Sequence, residues 1–154
     1  MRALMVIAAA VLAALPVSPR TGDSRILAWP RLVSFKGGPL HSEVLISERA
    51  DIQRLMDGLA QPAPVASDTA GRDFVWVALY WQVPVAPEWL RARQAPHDVA
   101  DQTAQFFPAR GKAPALWVYR AGWAWAASVR LLTPDALALL TSHGIPTRRG
   151  RASG

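Results

Sequence analysis

Apolar residues recur with two different periods along this chain, and the change of period separates strands from helices. Residues 26–35 and 40–47 are extended apolar runs on either side of the sequence KGGP. A glycine pair supplies the positive φ angles of a tight turn, so this region is predicted to be a β-hairpin. Pro30 has no N–H to donate to a neighbouring strand, which places the first strand at a sheet edge.

Residues 48–60 follow the helical period. Ile52, Leu55, Met56 and Leu59 recur at i, i+3, i+4 and i+7, which gives one apolar stripe. Ser47 precedes the stripe and is the expected N-cap. The pattern therefore predicts a helix that lies with this stripe against a sheet.

The segment DFVWVALYWQVPV, residues 73–85, is apolar at both odd and even positions. A strand with this pattern is buried on both faces, so it is expected at the centre of the sheet. Residues 86–105 are more polar, and a short helix is predicted at 98–105. Residues 106–114, FFPARGKAP, are expected to form a turn-rich connection.

Residues 115–132 are predicted to form a second hairpin that turns at Ala121 and Gly122. A helix follows, with Thr133 as N-cap, Pro134 at the first helical position and Gly144 as the stop. The predicted order is β-β-α-β-β-β-α, in which hairpins outnumber helical crossovers. This order favours an α+β fold, a mostly antiparallel sheet of about five strands with two packed helices.

The second hairpin concentrates aromatic residues in the sequence ALWVYRAGWAWAAS. With a two-residue turn, Trp117 and Tyr119 lie over Ala124 and Ala126 on one face, because side chains alternate between the faces of a strand. If the central strand presents rings on the same side, an aromatic surface results. It is either a covered core or an open platform for a ligand, and a one-residue shift of register would exchange the faces. The predicted ligand-binding residues are Trp117, Tyr119, Trp76, Tyr80 and Arg130.

Length and charge narrow the class of protein. The chain has 154 residues, no cysteine and a net charge of +6. Arg2, Arg148, Arg149 and Arg151 lie near the ends of the chain, and without them 13 basic residues face 11 acidic ones. No basic stripe characteristic of nucleic-acid binding is visible, so no nucleic-acid partner is expected. Residues 148–154 are expected to be a disordered basic tail.

The first twenty residues have the pattern of an export signal. One arginine precedes thirteen apolar residues, 3–15, which are too few to span a bilayer but fit the centre of a signal peptide. Pro16 and Pro19 weaken the cleavage site, and Leu12 with Ala14 is the best option. We therefore expect a signal at 1–20, one domain at 21–147 and an extracytoplasmic location. A retained N-terminal membrane anchor is the alternative.

Candidate chemistry is sparse in this sequence. His41 and Glu43 share one face of a predicted strand, while His97 lies near Asp101 in the polar segment. Neither spacing is that of a known metal site, and no serine lies in a nucleophile elbow. No catalytic residue, metal ligand or cofactor is therefore predicted.

These observations favour an exported, non-enzymatic domain that binds an apolar or carbohydrate ligand, or a protein partner, through an aromatic sheet face. Two alternatives remain open. One is a structural or accessory envelope protein without ligand-binding activity. The other is a small hydrolase whose polar site is built from loops, with His41 and Glu43 or His97 and Asp101 as its polar groups.

Overall fold

A six-stranded antiparallel sheet dominates this computed structural model, which describes residues 29–64, 69–120 and 128–150. The strands lie side by side in the order β2-β1-β3-β4-β5-β6, and every neighbouring pair is antiparallel. The predicted α+β class is confirmed, with one strand and one helix more than the sequence indicated. The strands are β1 Leu32–Lys36, β2 Val44–Ile46, β3 Val75–Tyr80, β4 Gln102–Phe107, β5 Leu116–Arg120 and β6 Ser128–Leu131.

Three helices accompany the sheet: α1 Arg49–Asp57, α2 Pro87–Ala92 and α3 Pro134–Ser142. The apolar stripe of α1 is buried as predicted, but the helix is shorter than expected and its N-cap is Glu48. In α3 the N-cap prediction is confirmed, since the Thr133 hydroxyl accepts from the Ala136 N–H at 3.3 Å. None of the helices in the described ranges has the length and apolar character needed to cross a bilayer.

The prediction of a helix at 98–105 is wrong. Residues His97–Val99 form one 3₁₀ turn, and the chain then enters β4, which pairs with β3 and β5 along its length. Residues with weak local preference take the strand conformation here because two neighbouring strands offer hydrogen bonds on both sides. The helix in this region is instead α2, which has Pro87 at its start.

The position of β1 also differs from the prediction, since β1 lies between β2 and β3. Pro30 precedes the strand, so its missing N–H removes no ladder hydrogen bond. The edge strands are β2 and β6. Residues 61–63 follow the outer side of β6, where Leu131 N–H donates to Gln61 O and Ala63 N–H donates to Val129 O, each at 2.9 Å.

The two faces of the sheet are covered unequally. The larger core lies between one face and helices α1 and α3 and includes Phe35, Val77, Phe106 and Trp117. On the opposite face, Tyr80 and its neighbours pack against the segment that contains α2. As predicted, β3 is buried on both sides, apart from Trp76, which is 43% exposed. This second face holds the candidate site.

Candidate functional site

The strand register separates the four aromatic residues that the sequence grouped together. Val75 pairs with Phe106, and Phe106 pairs with Trp117, so these three side chains share the face under α1 and α3. Trp76 and Tyr80 are one and five positions from Val75 and therefore lie on the opposite face. The four rings do not form one surface.

The two rings of β5 belong to the larger core. Trp117 is fully buried and meets Phe35 edge to face, with ring centroids 6.1 Å apart. Tyr119 is partly buried against it at 6.0 Å. The predicted register of this hairpin is wrong, because Trp117 pairs with Arg130 and Tyr119 pairs with Ser128 rather than with Ala126 and Ala124. Those alanines and the Ala121-Gly122 turn fall outside the described residues.

Of the other predicted binding residues, Tyr80 lies apart from these two rings, whereas Arg130 is the cross-strand partner of Trp117. Tyr80 is fully buried, donates its hydroxyl proton to Pro96 O at 2.6 Å and packs its ring 5.6 Å from that of Trp89. Arg130 lies on β6, where its guanidinium donates to Ser128 Oγ at 3.1 Å and Ala60 O at 3.3 Å. Arg130 thus ties β6 to the chain that follows α1.

An open groove lies between the β1–β2 hairpin and α2, with a volume of about 1490 Å³. It reaches as far as the end of α3, at His143. Its apolar lining comes from both walls, with Leu40 and Leu45 on the hairpin side and Trp89 and Leu90 on the helix side. The charged and titratable side chains that line it are Lys36, His41, Glu43, Glu88, Arg93 and His143.

Local sequence fixes both walls of this groove. At the hairpin turn, Gly38 has φ +60°, and a Cβ there would lie 2.2 Å from the Phe74 carbonyl oxygen, so the turn requires glycine. The opposite wall ends at Arg93, which adopts a left-handed conformation with φ 51°. Backbone bonds from Arg93 to Leu90 O and from Gln94 to Trp89 O close that helix end.

A buried polar cluster of Ser34, Glu43 and His97 adjoins the groove, and Glu43 is its member that lines the groove floor. The Ser34 hydroxyl contacts Glu43 Oε1 and lies 2.8 Å from His97 Nε2, while the Ala95 N–H donates to Glu43 Oε1 at 3.0 Å. Ser34 is fully buried, and the side chains of Glu43 and His97 are 7% and 22% exposed. The cluster joins β1, the start of β2 and the segment that follows α2.

The hydrogen bonds of this cluster determine where its protons lie. A serine hydroxyl has one proton, and a carboxylate can only accept, so the Ser34 proton points to Glu43. Ser34 Oγ must then accept from His97, which assigns the ring proton of neutral His97 to Nε2. Glu43 Oε2 has no hydrogen-bond partner among the described residues. It is nevertheless accessible to solvent, because it is not one of the fully buried side-chain atoms that lack a hydrogen bond in the described part of the chain.

Burial keeps two members of this region neutral. It lowers the pKa of His97, and the positive charge of Lys36 lowers it further, against the opposing effect of Glu43. Burial, with the negative charges of Glu43 and Asp98, raises the pKa of Tyr80 to about 12. Around neutral pH the uncharged forms of His97 and Tyr80 therefore surround the Glu43 carboxylate.

The histidine–carboxylate pairs proposed from the sequence do not form. His97 faces Glu43 instead, with Nε2 and Oε1 3.6 Å apart, whereas His41 is exposed on the groove wall. Asp101 accepts hydrogen bonds from the backbone N–H groups of residues 81–83, which lower its pKa. Within the described ranges, no group of three or more potential metal ligands comes together.

Sequence reasoning missed two parts of this site. The first is Ser34, whose signal is a lone hydroxyl in the buried strand LVSFK. The second is the helix wall with Trp89 and Arg93, for which Pro87 at the helix start was the available signal. No protein-family model, curated protein or solved structure matches this chain, so its function has to be argued from the groove itself.

Proposed function

We propose that this chain is a small, exported, non-enzymatic binding domain whose ligand occupies the groove between the β1–β2 hairpin and α2. The observation that carries the proposal is the groove itself, a large open concavity with apolar side chains on both walls and a few polar groups. Binding sites commonly combine these two features. The volume of about 1490 Å³ exceeds the roughly 300–1,000 Å³ of typical small-molecule pockets, which favours an extended ligand.

The arrangement of Ser34, His97 and Glu43 argues against the hydrolase alternative. In a nucleophilic triad, the histidine takes the serine proton at Nε2 and the carboxylate orients the other ring nitrogen. Here the carboxylate accepts the serine proton itself, and His97 donates to the serine. Ser34 also has no exposed surface from which to attack a substrate. The cluster is better suited to holding the two walls of the groove together.

The proposal moves the binding site away from the aromatic surface predicted from the sequence. Trp117 and Tyr119 pack in the larger core, whereas Tyr80 supports the groove from behind through its contact with Trp89. The aromatic ring available to a ligand in the groove is that of Trp89, which is partly exposed and lines the helix wall.

Filling the groove tests this proposal. A library of small fragments is screened by NMR against the protein, and we expect the shifted amide signals to cluster around the groove. Ala92 is exposed on α2 and lines the groove, so Ala92→Trp is expected to abolish most of this binding by occupying the space.

Ala138→Trp is the matched control, because Ala138 is exposed on α3 and does not line the groove. It is expected to leave fragment binding unchanged. Fragments that shift residues elsewhere, or that bind Ala92→Trp as well as the wild type, would contradict the proposal.

A further inference from the structure

We infer that the ligand of the groove is a neutral, hydroxyl-rich chain, an oligosaccharide, and that Glu43 Oε2 is the atom that recognises its hydroxyl groups. This inference rests on the proposed function and assigns a chemical class to its ligand. It is carried by three features of the groove: a buried acceptor at the floor, donors on both walls and one aromatic ring.

The acceptor is the open oxygen of a carboxylate that the fold holds in place. More than nine-tenths of the Glu43 side chain is buried, and Oε1 is fixed by Ser34 and the Ala95 N–H. Oε2 lacks a partner among the described residues and reaches the groove. Because the bonds to Oε1 already hold this carboxylate in place, a ligand O–H or N–H group can donate to Oε2 without first ordering the side chain.

The donors are Lys36 on the hairpin wall and Arg93 at the end of α2. Both line the groove, and neither side chain makes an ion pair or hydrogen bond with any residue that the structure describes. Lys36 lies close enough to the floor for its charge to act on His97. Both side chains can donate and cannot accept, so they call for acceptor groups on the ligand.

A hydroxyl group meets both demands because it donates one hydrogen bond and accepts others. A cationic ligand would satisfy Glu43 but would be repelled by Lys36 and Arg93. An anionic ligand would satisfy these two cations but would be repelled by Glu43. Neutral polyhydroxyl chemistry therefore fits the floor and the walls together.

The aromatic ring of Trp89 completes the match. Its ring is supported by Tyr80 at 5.6 Å and lines the groove. A sugar ring has an apolar face of C–H groups beside its hydroxyls, and tryptophan offers a large apolar surface for such a face. The extent of the groove suits several linked sugars better than one.

An extended peptide added to the outer edge of β2 fits less well. This strand has three residues, and successive residues direct their backbone groups to opposite sides. At most two residues of β2 can therefore bond an incoming strand, which provides few of the main-chain hydrogen bonds on which strand addition depends.

The experiment titrates the full chain with cellohexaose, maltohexaose and hexa-N-acetylchitohexaose, followed by calorimetry and by amide NMR shifts. At least one of these probes is expected to bind with shifts centred on the groove. Glu43→Gln keeps a carbonyl oxygen for Ser34 and Ala95 but replaces the open acceptor with an amide donor. It is expected to weaken binding about tenfold or more, as for the loss of a hydrogen bond to a charged group.

Glu48→Gln is the matched control, since Glu48 is exposed, precedes α1 and does not line the groove. It is expected to bind as the wild type does. If circular dichroism shows that Glu43→Gln is unfolded, Lys36→Met serves as the second test of the assignment. This substitution removes a hydrogen-bond donor and keeps an apolar side chain of similar length. It is expected to weaken binding about threefold or more, as for the loss of a weaker hydrogen bond.

The possible outcomes distinguish the oligosaccharide assignment from the proposal of a binding groove. If fragments occupy the groove but none of the three sugars binds, the oligosaccharide assignment is overturned and the binding groove stands. The assignment is equally overturned if both Glu43→Gln and Lys36→Met bind sugar like the wild type. If neither fragments nor sugars bind there, both proposals fail.

Discussion

Ser34 links groups that are far apart in the chain. Its hydroxyl bridges Glu43, nine positions away, and His97, 63 positions away. The bond to the Glu43 carboxylate is expected to contribute about 1.5–3 kcal/mol and the bond to neutral His97 about 0.5–1.5 kcal/mol. Removing Ser34 would cost more than these values where a buried polar atom is left without a partner. This one side chain therefore links the 3₁₀ turn at His97–Val99 to the β1–β2 hairpin.

The same cluster makes stability depend on pH. Because burial lowers the pKa of His97 from its usual 6.5, the unfolded chain takes up a proton before the folded chain does. The free energy of unfolding is therefore expected to fall as the pH drops below about 6.5, and to level off below the lowered pKa. Urea unfolding midpoints measured between pH 8 and pH 5 give this slope. Asp101 does not contribute to it, because the pKa of Asp101 is lowered from 3.8 and this pH interval lies above it.

His97→Gln is expected to flatten that slope. His41→Gln, which removes an exposed histidine of the β1–β2 hairpin, is expected to keep it. A His97→Gln protein with the wild-type slope would show that His97 is not the group that titrates.

Among the elements, those with local signals could be predicted from the sequence. Helix α3 begins with Thr133 and Pro134, and the first hairpin turns at a glycine pair, because these features depend on neighbouring residues. Strand β4 could not, since its conformation is decided by pairing with β3 and β5. The same limit applies to the aromatic rings, whose faces follow from the register across β4.

Part of the candidate site can be predicted from the sequence. The sequence pattern singles out Glu43 and His97 as polar groups of interest but pairs each with the wrong partner. Their pairing depends on the 3₁₀ turn lying over the β1–β2 hairpin, and no local pattern records such a contact. The buried environment of Ser34 likewise follows only from the packing of α2 against the second face.

Where helices α1 and α3 meet, Gly58 leaves no room for a side chain. A Cβ at this position would lie 2.4 Å from Ala136 Cβ and 2.8 Å from Thr133 Oγ1, although the backbone φ of −71° suits any residue. Gly58→Ala is expected to reduce the free energy of unfolding by about 1–3 kcal/mol through overpacking. Chemical denaturation measures the loss.

Gly150→Ala is the control, because a Cβ there meets open space. Its effect is expected to stay within about 0.5 kcal/mol, as for ordinary surface substitutions. Equal effects of the two substitutions would mean that the helices separate freely at Gly58.

At the scale of the whole molecule, the two faces of the sheet are covered by different elements. One face is covered by α1 and α3 over the larger core, and the other is covered by the segment that contains α2, while the groove extends around the β2 edge to His143. Substitutions in the α2 wall of the groove are therefore expected to affect the core less than substitutions under α1 and α3.

Export is tested on the full chain produced in a bacterium. The mature protein is expected in the periplasmic fraction, with an N-terminus at Leu15 by mass spectrometry, because the apolar run ends there and Ala14 is the best small residue for cleavage. Leu12→Arg interrupts that run and is expected to keep the protein unprocessed. A full-length wild type in the cytosol would contradict export, and a full-length wild type in the membrane fraction would indicate a retained anchor.

The difference between the two sheet edges also limits how copies of this fold can aggregate in the native state. Residues 61–63 occupy the outer side of β6, whereas β2 makes no backbone hydrogen bond on its outer side with any part of the chain that the structure describes. Among the described strands, β2 is therefore an open edge at which another copy can pair. Two copies that meet through β2 form a symmetric pair, in which each β2 covers the open edge of the other.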